Sequence, residues 1–171
     1  MKSLYLLRHA KTEPGGFFTQ DKDRKLTDRG SSDTLLIAGH MREKGLLPDQ
    51  ILCSSAVRAE TTCGYLTEGL GKNIPAEFED ELYLAEAATL MAFARGADEI
   101  GKSLMLIAHN PGMASLAFAM AGQNTRLPEK LTDFPTAALA CFIFDCQHWT
   151  DLDPTKAKLT HFVTPGMLKK G

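Results

Sequence analysis

Leu4-Tyr5-Leu6-Leu7-Arg8-His9-Ala10 is the stretch on which the fold turns. Its four apolar residues run together instead of alternating, the pattern of a short strand buried on both faces. The run ends abruptly in a cation and an imidazole, and Lys11-Thr12-Glu13-Pro14-Gly15-Gly16 continues as loop. Polar residues at the C-terminal end of a buried strand stand where open α/β sheets hold their ligands. Taken alone, the segment fits equally a strand that merely finishes in polar residues. A second instance shifts the balance: Leu104-Met105-Leu106-Ile107-Ala108 is another continuous apolar run, and it ends in His109-Asn110-Pro111-Gly112.

Between these two strands the pattern alternates. A long loop from Lys11 to Lys25 carries a charged run, Asp21-Lys22-Asp23-Arg24-Lys25, and its length suits a segment that folds over whatever Arg8 and His9 hold. Thr27 or Asp28 then caps a helix that carries Leu35, Ala38 and Met41 on one side and stops near Gly45. Ile51-Leu52-Cys53 is a short buried strand. Ala56, Ala59, Cys63, Leu66 and Leu70 step by three and four along a second helix, with Ser55 as its expected N-cap. Ile74 to Phe78 suits a strand, and Leu90, Phe93, Ala97 and Ile100 trace a further helix closed by Gly101. After His109 a helix runs through Met113, Leu116, Ala117 and Met120, with Pro111 in its first turn. Ala137 to Phe144 and Lys158 to Val163 read as two more strands, and Trp149 as a packing residue. Nothing repeats and no linker divides the chain, so residues 1–171 are expected to form a single three-layer α/β/α domain with a largely parallel central sheet.

Composition narrows the function. The chain has 171 residues, 44% hydrophobic and 23% charged, with a formal net charge of −2. That balance suits a globular domain with a substantial core and speaks against a general binder of nucleic acid or anionic membranes. No segment approaches the roughly 18 apolar residues of a membrane span, and Arg8 interrupts the N-terminal apolar run too early for a signal-peptide core. A cytoplasmic location is the expectation. Cys53, Cys63, Cys141 and Cys146 make neither a disulfide framework nor a close-paired zinc site, and are expected to be free, mostly buried thiols.

The chemistry-bearing residues are Arg8, His9, Arg58 and His109. Each falls at a strand end or a helix start. Arginine offers a permanently charged, planar fork of donors that matches phosphate oxygens. Arg58 in a first helical turn opposes the helix dipole; it is either a solvated surface residue or the partner of an anion drawn to that N-terminus. A neutral imidazole can attack phosphorus, and neighbouring cations help keep it neutral. The segment Cys53-Ser54-Ser55-Ala56-Val57-Arg58 superficially suggests a cysteine phosphatase loop, but its Cys-to-Arg spacing is too short and it contains no glycine.

Three motifs together resemble the histidine phosphatase superfamily. They are Leu7-Arg8-His9-Ala10-Lys11 with the following Asp23-Arg24, Leu26-Thr27 and Gly30; Ser54 to Thr62; and Ala108-His109-Asn110-Pro111-Gly112. Phe134-Pro135-Thr136-Ala137 and Thr164-Pro165 also resemble the C-terminal pattern of its small branch, the SixA-type phosphohistidine phosphatases, so the likeness spans nearly the whole chain. The resemblance implies that His9 is the nucleophile and becomes phosphorylated, and that Arg8, Arg58 and His109 complete the phosphate pocket. It implies that Asn110 supports the His109 loop or reaches the substrate, with a structural cap as the alternative. It implies no metal and no organic cofactor. Larger members carry an acidic general acid after the third strand. Here Glu81 and Glu86 lie in that region without the surrounding motif, Glu13 and Asp21 are remoter candidates, and the acid stays unassigned.

The expected function is a phosphatase acting on protein phosphohistidine or a similar phosphoramidate. A phosphomonoesterase for a small phosphorylated metabolite is the alternative, and a phosphate-binding module without turnover is a third possibility of a different class.

Overall fold

The computed structural model describes residues 1–122 and 124–170. Its strands are β1 (Lys2–Arg8), β2 (Gln50–Ser54), β3 (Ala76–Glu79), β4 (Ser103–Ala108), β5 (Leu139–Phe144) and β6 (Lys158–Val163). They form one sheet in the order β3-β2-β4-β1-β5-β6. The pairs β3–β2, β2–β4 and β4–β1 are parallel, whereas β5 runs antiparallel to both β1 and β6. The helices are α1 (Asp28–Lys44), α2 (Val57–Leu70), α3 (Ala87–Arg95), α4 (Gly112–Ala121) and α5 (Pro165–Lys170).

Two cores sandwich the sheet, giving the expected three layers. In β1, Leu4 and Leu6 face the core that holds Leu90 and Met91 of α3 and Met113 and Leu116 of α4. Tyr5 and Leu7 face the opposite core, with Ile37 and Met41 of α1 and Leu66 of α2. A strand flanked by helices on both sides must be apolar at every position although its side chains alternate in direction. That is why the run at residues 4–7 does not alternate.

Several local expectations shift. Thr27 caps α1, its Oγ1 accepting from the Gly30 amide at 3.0 Å. Of the three core residues expected on α1, Ala38 and Met41 are buried but Leu35 is 40% exposed. Steps of three fall short of a full helical turn, so Leu35 drifts off the buried stripe, which Thr34 and Ile37 complete instead. The N-cap position of α2 is Ala56, not Ser55. Ser54 Oγ accepts from the Ala56 amide at 3.2 Å, while the Ser55 hydroxyl turns to the Asp80 carboxylate. α3 stops at Gly96, which leaves Ala97 outside it and Ile100 68% exposed. The chain turns early there, and the Asp98 carbonyl accepts from Gln50 Nε2 of β2 at 2.7 Å. Pro111 stands at the N-cap of α4 rather than inside its first turn.

β5 begins at Leu139 because Ala137, with a φ of 59°, is turned out of the strand. Its amide donates to both the Arg8 and His9 carbonyls at 3.1 Å. Helix α5 has no counterpart in the sequence-based expectations. It is too short to show a period, and it is held by packing of Met167 and Leu168 and by Lys169 Nζ at 2.6 Å from the buried Asp33 carboxylate of α1. Trp149 is fully buried, as are Cys53 and Cys141, with Cys63 nearly so. Among the described residues, no helix is long and apolar enough to cross a membrane.

Two glycines test the packing. A Cβ on Gly112 would stand 1.9 Å from the Ala85 carbonyl oxygen, whereas one on Gly39 would meet nothing within 4 Å. Gly112→Ala is expected to destabilise the fold by about 1–3 kcal/mol through overpacking. Gly39→Ala, inside α1, should stabilise it by roughly 0.5–1 kcal/mol through helix propensity. Chemical denaturation of the two variants should move in opposite directions.

Candidate active site

The site is assembled by strand register. β1 and β4 pair with Arg8 opposite Ala108, so the next residues, His9 and His109, leave the sheet side by side. The His9 amide donates to the Ala108 carbonyl at 3.1 Å, and the two imidazole rings lie 5.1 Å apart between centroids. On the other side of β4, Cys53 of β2 pairs with Ile107, so Ser54 follows at the level of Ala108, one residue short of His109. Ser54 Oγ lies 2.7 Å from His109 Nε2, while His109 Nδ1 is buried without a partner. Arg58 arrives from the first turn of α2. It is 3% exposed, which excludes the solvated surface role.

His9 is locked in one tautomer. Its Nδ1 faces the Ala10 carbonyl at 2.8 Å and therefore donates a proton to it, so in the neutral ring Nε2 carries the lone pair. The Ala10 amide is itself anchored on Thr62 Oγ1 at 3.0 Å, and that hydroxyl donates to the Arg58 carbonyl at 2.7 Å. One threonine of α2 thus ties the segment after His9 to the helix that carries Arg58. Burial lowers the His9 pKa to about 4, with Arg8, Arg58 and Arg24 adding to the shift and the Ala10 bond opposing it. Burial, then His9 and Arg58, lowers His109 to about 3.

The arginines are held differently. Arg8 Nη1 donates to the Phe134 carbonyl at 3.2 Å, and its Nε is buried without a partner. Burial and then Arg58 pull its pKa down from the ordinary arginine value. Arg58 donates from Nη1 to the Asp21 carbonyl at 2.6 Å and from Nη2 to the Asp21 carboxylate at 3.0 Å. The loop after β1 therefore does fold over the site, and Asp21 is where it touches down. The Tyr83 hydroxyl donates to the same carboxylate, and Arg24 Nη1 reaches its other oxygen at 3.1 Å. The bond from Tyr83, then those from Arg58 and Arg24, hold the Asp21 carboxyl well below the usual carboxylate range.

A cavity of about 330 Å³ opens over these groups, lined by Arg8, His9, Arg24, Arg58, His109 and Asn110 among others. Of the four acidic candidates, Asp21 alone is part of that lining; Glu13, Glu81 and Glu86 are exposed and outside it. Asn110 spends its hydrogen bonds on the chain itself. Its Nδ2 donates to the Asp133 and Phe134 carbonyls at 3.0 and 3.1 Å, and its Oδ1 accepts from the Ala114 amide of α4 at 3.2 Å. Cys53 lies fully buried, its thiol pushed far above the ordinary value by burial, so it offers no nucleophile. Among the described residues, no group of three or more His, Cys, Asp or Glu side chains is gathered as a metal ligand set. Tyr83 and Arg24 were not among the residues singled out from the sequence. Arg24 sat in a quoted motif, but Tyr83 gave no local signal.

Known proteins share this arrangement of chain and fold. Residues 4–86 match the histidine phosphatase superfamily (branch 1). An uncharacterised protein of Mycobacterium tuberculosis is 30% identical over 164 residues, covering 93% of this chain and 99% of the relative. The chain belongs to the histidine phosphatase superfamily. An uncharacterised protein of Picosynechococcus is 32% identical over 127 residues, covering 71% of this chain and 74% of its own length. Among solved structures, a protein assigned the name phosphohistidine phosphatase SixA from Agrobacterium tumefaciens is 28% identical, with a TM-score of 0.79 over 96% of this chain and 98% of its own. The protein histidine phosphatase SixA in complex with tungstate shares the fold at a TM-score of 0.77 and 21% identity, covering 97% of this chain and 99% of that one. This member of the superfamily is thus an α/β phosphatase with a SixA-like structure.

The depressed histidine pKa values have a measurable consequence. Both rings stay neutral in the folded protein where an unfolded histidine, at roughly 6.5, takes up a proton. Below that value the unfolded chain binds more protons than the folded one, so stability rises with pH across this range. Read downward, the contribution of neutral His9 and His109 is lost as pH falls from the unfolded value through about 4 and about 3. Imidazole resonances followed by NMR should titrate near those two values, and midpoints close to the unfolded value would contradict the geometry.

Proposed function

We propose that this chain is a metal-independent phosphatase that hydrolyses protein phosphohistidine, or a similar phosphoramidate, through phosphorylated His9. What carries the proposal is the fixed tautomer of His9: Nδ1 donates to Ala10, so Nε2 keeps its lone pair beside two guanidinium groups and a second imidazole. Arg8 and Arg58 neutralise the phosphoryl oxygens, and His109 adds a further partner for them. His9 Nε2 forms the new bond to phosphorus while the bond from phosphorus to the leaving nitrogen breaks. The departing imidazole takes its proton from solvent. Water then attacks phosphorylated His9, releasing inorganic phosphate and restoring the free ring. The arginines supply the positive charge that a metal would otherwise provide. Asn110 acts by holding the His109 turn. Residues 1–171 would serve as one catalytic domain.

Among the described residues, no candidate acid other than the ionised Asp21 lines the cavity, which favours nitrogen-linked over alkyl phosphates. Expelling an alkoxide generally needs a proton in the transition state, worth about 10²- to 10⁴-fold, whereas an imidazole leaving group is protonated readily near neutrality. Asp21 lines the cavity, yet it is held ionised by three donors and does not supply that proton. Relatives of the same fold support the alternative of a small phosphorylated metabolite. A mycobacterial glucosyl-3-phosphoglycerate phosphatase has a TM-score of 0.57 and 18% identity, over 92% of this chain and 96% of its own. The SixA-like neighbours, at higher structural similarity, favour the phosphohistidine assignment.

Labelled substrate quenched by acid-free denaturation should leave an acid-labile phosphate on His9. His9→Ala should lower turnover by about 10³-fold or more, and label that persists in that variant would overturn the proposal. Chelators should leave the rate unchanged, and kcat/KM should be higher for phosphoramidate than for a simple alkyl phosphate. A rate abolished by EDTA and restored by a divalent ion, or a preference for the alkyl ester, would count against it.

A second set of variants tests the missing acid. Glu81→Gln and Glu86→Gln should retain whatever activity the chain has toward a simple alkyl phosphate, whose leaving group needs an acid, since neither side chain lines the cavity. A loss of more than about tenfold in either, where acid catalysis is worth 10²-fold or more, would identify the proton donor instead.

A further inference from the structure

Ser54 closes β2 and is fully buried, a hydroxyl placed directly after the apolar run Ile51-Leu52-Cys53. Burying a hydroxyl costs free energy unless its hydrogen bonds are met. Ser54 Oγ accepts from the Ala56 amide at 3.2 Å and lies 2.7 Å from His109 Nε2. Among the described residues it makes no further hydrogen bond.

His109 has one proton to place. Burial lowers its pKa to about 3, so near neutrality the ring is uncharged and carries N–H on one nitrogen alone. With the proton on Nε2, that N–H donates to Ser54 Oγ, and the hydroxyl proton of Ser54 is left without an acceptor in the fold. The lone pair of Nδ1, buried without a partner, is then a second unmet group. With the proton on Nδ1, the Ser54 hydroxyl donates to Nε2 and still accepts from the Ala56 amide. Only the Nδ1 proton stays unmet. Each buried polar group without a partner costs stability, so the second arrangement is the favoured one.

The remaining unmet donor points to a ligand. His109 lines the cavity together with Arg8 and Arg58. A proton on Nδ1 is matched by an anionic oxygen, whereas a lone pair in its place would repel one. We propose that Ser54 is a positioning residue whose hydroxyl holds His109 as the Nδ1–H tautomer, so that Nδ1 donates to a phosphoryl oxygen. This rests on the function proposed above for the identity of the ligand. It adds which nitrogen of His109 meets that ligand and what fixes the choice. His9 and His109 then carry their protons on the same ring atom with opposite results. His9 spends its Nδ1 proton on Ala10 and keeps a lone pair for phosphorus, while His109 spends its Nε2 lone pair on Ser54 and keeps a proton for the oxygens.

Nitrogen NMR of the chain with isotope-labelled histidine reads the tautomer directly. Without phosphate and near neutral pH, wild-type His109 should be protonated at Nδ1 and bare at Nε2, and the reverse would overturn the inference. In Ser54→Ala the proton should move to Nε2, with affinity for inorganic phosphate falling about tenfold and kcat on phosphoramidate falling about tenfold or more. Ser54→Thr keeps the hydroxyl and should hold the wild-type tautomer, with kcat and phosphate affinity within about threefold of wild type. A slowed Ser54→Ala whose proton stays on Nδ1 would reveal a packing role and overturn the inference. So would a Ser54→Thr that keeps the tautomer yet loses as much as Ser54→Ala. The tautomer and phosphate measurements need no turnover. If they behave as expected while wild type fails to hydrolyse phosphoramidate, the proposed function falls and the role of Ser54 stands.

Discussion

Everything at the site depends on the register between β1 and β4. Parallel strands have evenly spaced hydrogen bonds, so placing Arg8 opposite Ala108 leaves His9 and His109 as neighbours where the strands end. A slip of one residue would send Leu4 and Leu6 to the wrong core and part the two imidazoles together. The placing of the two imidazoles and the core packing are therefore enforced by the same pairing. The hydrophobic faces of β1 protect the relation between two side chains that are themselves polar.

The second constraint is electrostatic. Arg8, Arg24 and Arg58 line a cavity containing His9 and His109, and Asp21 is the single carboxylate in that lining. Burial, with the arginines adding to it, keeps both histidines neutral, and the guanidinium groups repel one another in a way that Asp21 only partly relieves. Asp21 engages Arg58 through both its carbonyl and its carboxylate, which fixes the guanidinium plane. Tyr83 completes this arrangement, since its ring lies 5.7 Å from the Arg58 guanidinium and 5.4 Å from the His109 ring. A phosphoryl dianion would supply the charge the cavity lacks.

Backbone strain is gathered around the same place. Leu84, Phe134 and Ala137 all have positive φ, a conformation uncommon outside glycine. The Phe134 carbonyl receives Arg8 and Asn110, and the Ala137 amide spans the Arg8 and His9 carbonyls. Substituting glycine would relax the strain but loosen the groups that orient Arg8. The surrounding packing holds them instead: Phe134 is fully buried against the α4 side of the sheet and Ala137 against the other.

The sequence by itself determined the layers and pointed to four polar residues that the structure gathers around one cavity. Continuous apolar runs at residues 4–7 and 104–108 identify strands covered on both faces, and Arg8, His9, Arg58 and His109 follow from their places at element ends. These signals are local, because periodicity and termini are written within a few neighbouring residues. The tertiary structure alone decided that Asp21 pins Arg58 across 37 residues and that Tyr83 reaches Asp21 across 62. It also decided that Leu35 lies off the core stripe, that Asn110 is engaged by backbone groups, and that α5 docks through Lys169 on Asp33. Such contacts depend on how loops close in space, and nothing in the immediate neighbourhood of either partner records where the chain will bring the other.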